Sequence, residues 1–301
     1  MPYPPSYIQL HEKNELTERI RSLNEILSQC TLCPRRCEVN RIQGELGYCR
    51  AGGELMISSV FPHFGEEAPL VGYRGSGTIF LTHCNLRCVF CQNYDISHLG
   101  RGESASPSQM ASYMVRLQEL GCHNINFVTP THYTPQIVGS LPEAIELGLR
   151  LPLVYNCSGY ESLEVIKLLD GIIDIYMPDA KYAGEESAKR FSNAPDYPHV
   201  LKEVLTEMYR QVGDLQMDVN GIAERGLLIR HLVMPENLAG TDDLMKFIAE
   251  EISPNSYVNV MQQYRPEYKS YDYPELGRRI TYGEYLNAVK LARRLGLHRG
   301  F

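Results

Sequence analysis

From Thr78 onward the chain alternates short β-branched runs with amphipathic segments, which restricts it to parallel strands covered by helices. Strands are expected at TIFLT from Thr78, NINFVT from Asn124, LPLVYN from Leu151, IIDIYMP from Ile172, GLLIRHLVM from Gly226 and YVNVMQQY from Tyr257. Helices are expected at 106–120, 134–149, 162–169, 188–212, 242–251 and 282–295. Ser106-Pro107 puts proline at a first helical position, and Thr241 precedes an acidic first turn. Six βα units are too few for a closed eight-stranded barrel. The expected fold is therefore α/β, an open three-quarter (β/α)6 barrel. A doubly wound sheet fits less well, because the first βα turn carries cysteines where a glycine fingerprint belongs.

That turn reads LTHCNLRCVFCQN, with Cys84, Cys88 and Cys91 spaced C-x3-C-x2-C directly after TIFLT. With 9 Cys in 301 residues, chance would produce such a triple about 0.01 times per chain, so three unrelated thiols are a poor explanation. Three soft thiolates then share one loop at a strand's C-terminal end, where barrel-like enzymes keep their chemistry. A [4Fe-4S] cluster is normally held by four thiolates, so a loop offering three leaves one iron open to an outside ligand.

Residues before Gly75 differ in kind, which suggests a division into 1–74 and 75–301. A helix-like stretch at 16–27 leads into Cys30, Cys33 and Cys37, and Cys49 follows GELGY. This quartet has little hydrophobic periodicity, so a metal would have to stabilise it. Four thiolates saturate either Zn²⁺ or a cubane cluster; the half-present C-x2-C pattern and the nearby iron-sulfur loop leave both open. Arg35 and Arg36 are either solvated or stabilise thiolate charge. Cys122 and Cys157 read as buried small hydrophobes, Cys157 at a strand end close to the site. In FPHFGEEAPL, His63, Glu66 and Glu67 could reach the barrel mouth, but a solvated loop is the favoured reading for each.

A net charge of -7 and a pI near 5.8 argue against a general nucleic-acid binder. No apolar run approaches the roughly 18 residues that span a bilayer, and the start lacks a basic region followed by an apolar core. A cytoplasmic location is expected, and reduced thiols there point to metal or catalysis before disulfides.

The strand ends are polar: Thr129 to His132, Asn156 to Gly159, Asp179 to Lys181, and Arg230. Asn156 and Ser158 read equally as turn formers or as hydrogen-bonding partners of a bound ligand. Asp179 and Lys181 lie two apart and project to one side of a strand, where charge is costly unless it is paired or bound.

Spacing and flanks together resemble the radical S-adenosylmethionine (SAM) enzymes, and CNLRCVFCQN resembles the pyruvate formate-lyase activating enzyme branch, here in a subgroup with an N-terminal cysteine quartet. The resemblance implies the three-quarter barrel, a [4Fe-4S] cluster on Cys84, Cys88 and Cys91, and SAM chelating its open iron. It further implies reductive cleavage of SAM to a 5′-deoxyadenosyl radical that abstracts hydrogen, and a low-potential electron donor such as flavodoxin or ferredoxin. Phe90 stands where the family has an aromatic residue near the adenine. MPDAK resembles the family's MxDxK pattern, which makes Met177 and Asp179 neighbours of a monovalent cation and Lys181 a partner of the SAM carboxylate; Arg230 in LLIRHLVMP resembles its SAM-binding arginine. The family's Gly-Gly-Glu segment is replaced by NFVTPTHYTP, where Thr129 and Thr131 are substitutes, and Tyr264 in QQYRP stands in place of a histidine.

Three classes of function compete, the first in two forms. A glycyl-radical activase would act on a partner protein, and a second type of radical SAM enzyme on a small molecule or peptide; an iron-sulfur electron carrier would have no use for Lys181 and Arg230. A zinc-stabilised interaction module would leave the 84 to 91 triple incomplete. The tyrosine-rich 262–273 segment, with Tyr264 and Tyr268, reads either as a substrate-contacting lip or as a loop packed on the last helix.

Overall fold

The computed structural model describes residues 4–301. Its strands are β1 (Leu55–His63), β2 (Ser76–Leu81), β3 (Glu103–Ala105), β4 (Ile125–Val128), β5 (Leu153–Cys157), β6 (Ile175–Pro178), β7 (Gln216–Met217), β8 (Ala223–Leu232) and β9 (Tyr257–Met261). They form one sheet in the order β3-β1-β2-β4-β5-β6-β8-β7, with β9 on β8. Strands β2, β4, β5, β6, β8 and β9 are parallel neighbours, and they are the six expected runs. The barrel is not closed.

The sheet extends beyond the first parallel strand. β1 pairs antiparallel with β2, and β3 pairs antiparallel with β1, so residues before Gly75 supply a strand to the same sheet. Pro62 hides β1 in the sequence, because proline usually argues against a strand. Here it is tolerated, since β3 pairs only with Leu55, Met56 and Ile57 and no ladder partner is needed beyond them.

Most helices lie where their periodicity puts them. Pro107–Glu119 starts with a capping box between Ser106 and Gln109, and Tyr282–Arg294 with one between Thr281 and Glu284. The stretch expected as one helix at 188–212 is two, Glu185–Ser192 and Tyr197–Val212. Asn193 turns left-handed at φ 49, and Pro195 follows within the break. Helix Thr241–Phe247 has Gly240 at its N-cap and runs into a π turn, Ile248–Ile252.

Register decides what faces the concave side. Val154 pairs with Ile175, Asn156 with Met177, Asp179 with Arg230, and Arg230 with Asn259. Val154, Ile175, Met177 and Leu228 join Leu70 in a small apolar core on that side. The opposite residues, Tyr155, Tyr176 and Ile229, belong to the larger core beneath the helices. On β5, β6 and β8 the concave face is thus apolar low down and polar at the C-terminal end, where the site lies, whereas β2 and β4 carry Thr78 and Asn126 in the row of Val154.

Where β8 begins, Gly226 takes φ +127, and a Cβ there would lie 2.5 Å from both the Asp214 carbonyl oxygen and Leu215 Cα. Backbone atoms cannot yield as a flexible side chain can. Gly226→Ala is expected to destabilise the protein by about 1–3 kcal/mol, read as a lowered urea midpoint. An unchanged midpoint would show that this crossing relaxes freely.

Candidate active site at the barrel mouth

The Cys84 to Cys91 loop leaves β2 through two left-handed residues, His83 (φ 67) and Arg87 (φ 53). It is held from several elements. Asn85 Nδ2 donates to the Tyr160 carbonyl at 2.6 Å, His98 Nε2 contacts the Cys88 carbonyl at 3.1 Å, and the Val89 N–H donates to the Phe191 carbonyl at 2.9 Å. The sulfurs have hydroxyl neighbours: Ser192 Oγ lies 3.1 Å from Cys88 Sγ, and Ser97 Oγ 3.0 Å from Cys91 Sγ. Burial pushes the Cys84 thiol up to about 12, with Cys88 and Cys91 adding to the rise, and burial likewise raises Cys91. A cation bound beside Cys84 and Cys91 would favour their thiolate forms, which is the donor chemistry an iron-sulfur cluster requires.

These cysteines wall a cavity of about 250 Å³ that is also lined by Phe90, Thr129, Asn156, Ser158, Asp179, Lys181 and Arg230. A roomier groove of about 700 Å³ runs along the last helix, but it holds none of the thiols. In the smaller cavity Asp179 is shared by two cations, Lys181 Nζ at 2.6 Å and Arg230 Nε at 2.7 Å. Arg230 Nη2 also donates to Asn156 Oδ1 at 2.7 Å. Burial works to raise the Asp179 carboxyl, but Arg230 and Lys181 outweigh it and hold it below its ordinary value. For Lys181, burial opposes the charge and Asp179 prevails, so its ammonium is favoured. Ser158 Oγ is buried on the cavity wall without a partner, a group that a ligand hydroxyl would satisfy.

Tyr197 locks two strand ends together from the neighbouring helix. Its hydroxyl lies 2.9 Å from the Ser158 carbonyl and 2.7 Å from that of Asp179, and accepts from the Lys181 N–H at 3.0 Å. Thr129, in place at the cavity edge, adopts φ 60. Phe90 is wedged against Tyr182 and Tyr264, ring centroids 6.3 and 6.0 Å away.

Other expected residues face elsewhere. Met177 lies in the apolar core one row beneath Asp179 and does not line the cavity. Thr131 turns away from it and donates to Glu161 Oε1 at 2.9 Å. Tyr264 is buried with its hydroxyl on the Leu276 carbonyl at 2.9 Å, and Tyr268 stacks on Tyr94 at 5.0 Å. The favoured reading of Glu66 and Glu67 as solvated is overturned. Far from being solvated, Glu66 reaches to 3.6 Å from Arg230, and Glu67 accepts from Asn259 Nδ2 at 2.9 Å. Reading LMISSVFPH as a strand would have exposed them, because the chain must then return beneath the barrel to start β2.

Cys30, Cys33, Cys37 and Cys49 line a second, small chamber together with Arg35, Arg41 and His132. Among the described residues no three Cys, His, Asp or Glu side chains close onto one ion, here or in the Cys84 loop.

Glu161 is buried beside the site, where it accepts from Thr131 and from the Tyr155 hydroxyl at 3.2 Å. Burial pushes its carboxyl up to about 7, against the lowering pull of those two donors. A folded value above the ordinary 4.5 means that this group's contribution to stability is full below that pH and lost as pH rises through 7. Between about pH 5 and 8 the wild type should lose stability relative to Glu161→Gln, whose amide does not titrate. Urea midpoints across that range check this; parallel curves would show a carboxylate ionised throughout.

The sequence profile of the radical SAM superfamily matches residues 78–248, which contain the Cys84 loop and every cavity-lining cation. The chain is 35% identical over 292 residues to an uncharacterized protein of Methanocaldococcus jannaschii, an alignment covering 94% of this chain and 80% of the relative. A second uncharacterized protein of the same organism is 23% identical over 292 residues, covering 90% and 78%. No described helix is long and apolar enough to cross a membrane. With more than half its length matched by the profile, and the three thiols of the C-x3-C-x2-C loop lining a cavity at the ends of parallel strands, the chain belongs to the radical SAM superfamily and is an enzyme.

Proposed function

We propose that this enzyme binds a [4Fe-4S] cluster through Cys84, Cys88 and Cys91 and cleaves SAM reductively in the adjoining cavity, using a low-potential donor such as flavodoxin or ferredoxin. The carrying observation is the convergence of three thiols, an Asp179-Lys181-Arg230 array and the unpartnered Ser158 hydroxyl on one cavity. When bound, the cluster and SAM supply a 5′-deoxyadenosyl radical for hydrogen abstraction. The protein's residues do the holding. Lys181 and Arg230 attract the SAM carboxylate, with Asp179 keeping both charged and aligned before it arrives. Ser158 and Asn156 meet the ribose, and Phe90, buried and backed by two tyrosines, offers a flat apolar wall to the adenine. Thr129 and nearby carbonyls take the place of the absent Gly-Gly-Glu segment towards the amine.

By its motifs, the favoured subclass is an activase that removes a glycine hydrogen from a partner protein; a small molecule or peptide is the other substrate class. A pure electron carrier is disfavoured, because it has no use for two cations held at the strand ends beside the cluster. The second cysteine set is carried as a further metal site, zinc or iron-sulfur, and the cytoplasm as the location.

Anaerobically reconstituted protein should form 5′-deoxyadenosine from SAM, and Cys84→Ala, Cys88→Ala or Cys91→Ala should abolish it. Undiminished product in any of the three would remove the assignment. Lys181→Ala and Arg230→Ala should each weaken SAM binding by about 1.5–3 kcal/mol at unchanged cluster content, as measured by calorimetry. Equal affinity in both variants would reduce the array to a structural ion pair.

A further inference from the structure

We infer that the chamber of Cys30, Cys33, Cys37 and Cys49 holds a thiolate-bound centre with a 2+ core, counterbalanced by Arg35 and Arg41 and joined through His132 to the Cys84 loop. The inference rests on the second metal site proposed above, but not on SAM cleavage.

The first argument is charge. Arg41 is 1% exposed, yet its polar contacts are carbonyls: Gly52 at 3.0 Å from Nε and His132 at 2.7 Å from Nη1. Arg35 likewise donates to carbonyls, those of Asn85 at 3.1 Å, Leu86 at 3.4 Å, Ser192 at 2.8 Å and Asn193, and lies 3.9 Å over the Tyr48 ring. Neither guanidinium pairs with a carboxylate among the described residues, and both line the chamber. For Arg41, fully buried, a cation without an anion is unfavourable, and neutral thiols provide none; Arg35, half-buried, lines the same chamber. Four thiolates around a 2+ core carry two negative charges, which two guanidiniums cancel. Zinc and an oxidised cubane share this arithmetic.

The second argument is a lone pair. His132 Nε2 lies 2.7 Å from the Thr82 carbonyl, which only accepts, so Nε2 carries the hydrogen. Nδ1 therefore presents a lone pair; it is buried, has no partner, and belongs to a ring that walls the chamber. Four thiolates leave the core no open position, so the ring stands beside the centre and outside its ligand set. The local backbone is shaped to the same end: the Tyr48 N–H donates to Cys37 Sγ at 3.3 Å, and a Cβ on Gly47 would lie 2.9 Å from that sulfur.

These contacts also tie the chamber to the SAM-cluster loop. Thr82 stands two residues before Cys84, and Arg35 grips the carbonyls of Asn85 and Leu86 within the loop.

The test is iron and zinc analysis of the full-length protein prepared anaerobically, with 5′-deoxyadenosine formation assayed on the same sample. About eight irons per chain, or about four irons and one zinc, supports the inference and identifies the core. About four irons and no zinc, with normal 5′-deoxyadenosine formation, overturns it while leaving SAM cleavage standing. His132→Gln, whose amide still donates to Thr82, should keep the metal but shift the second centre's spectrum. The readout is the EPR of a reduced cubane, or the visible bands of cobalt(II) in place of zinc. An unshifted spectrum removes His132 from the centre.

Discussion

Among the described residues Asp179 is the anion placed between Lys181 and Arg230, and the barrel mouth is organised around it. Without it two cations would face each other in a largely buried space, and one would have to leave or lose its proton. The carboxylate also joins strands: its residue bridges Arg230 across β6 and β8, and the Ala180 N–H donates to the Arg230 carbonyl at 2.7 Å. Glu66 approaches Arg230 from the far side, so the guanidinium is held by groups from three separate elements. Such a side chain meets a ligand anion with little reorganisation left to do, which is the physical content of preorganisation.

The N-terminal segment is integrated with this site. β1 widens the sheet beside the first parallel strand, the return from β1 to β2 carries Glu66 and Glu67 inward, Arg35 braces the turn after β2, and Arg41 holds the His132 carbonyl after β4. The loop that presents Cys84, Cys88 and Cys91 is therefore shaped by residues more than fifty positions away in sequence, on both sides of it. A flexible loop would lose most of its affinity for a cluster to ordering entropy; this one is ordered by carbonyls already bonded to fixed donors.

Much of this was legible. The six parallel strands announced themselves by β-branched runs, and the thiol triple by a spacing that chance does not produce. Asn156, Ser158, Asp179, Lys181 and Arg230 could be placed together because strands of an α/β fold end on one side. Where the reading failed, a local rule was overridden. Pro62 masked a strand whose outer edge needs no partner, and Asn193 with Pro195 broke a continuous helical pattern. Thr131 and His132 follow Thr129 on the same loop, yet a single turn sends one to Glu161 and the other to the cysteine chamber.

Sequence alone determined what depends on neighbours along the chain: strand and helix periods, the thiol spacing, and the two-residue offset that sets Asp179 and Lys181 on one side. Tertiary structure decided what depends on distant groups. Glu66 is a surface carboxylate by composition and a buried partner of Arg230 by topology; Tyr264 is a ligand candidate by position and a core residue by the Leu276 carbonyl that receives its hydroxyl. The reason is one of range. Periodicity and turn chemistry act over a few residues, whereas burial and charge pairing are fixed only when elements far apart in sequence close on the same space.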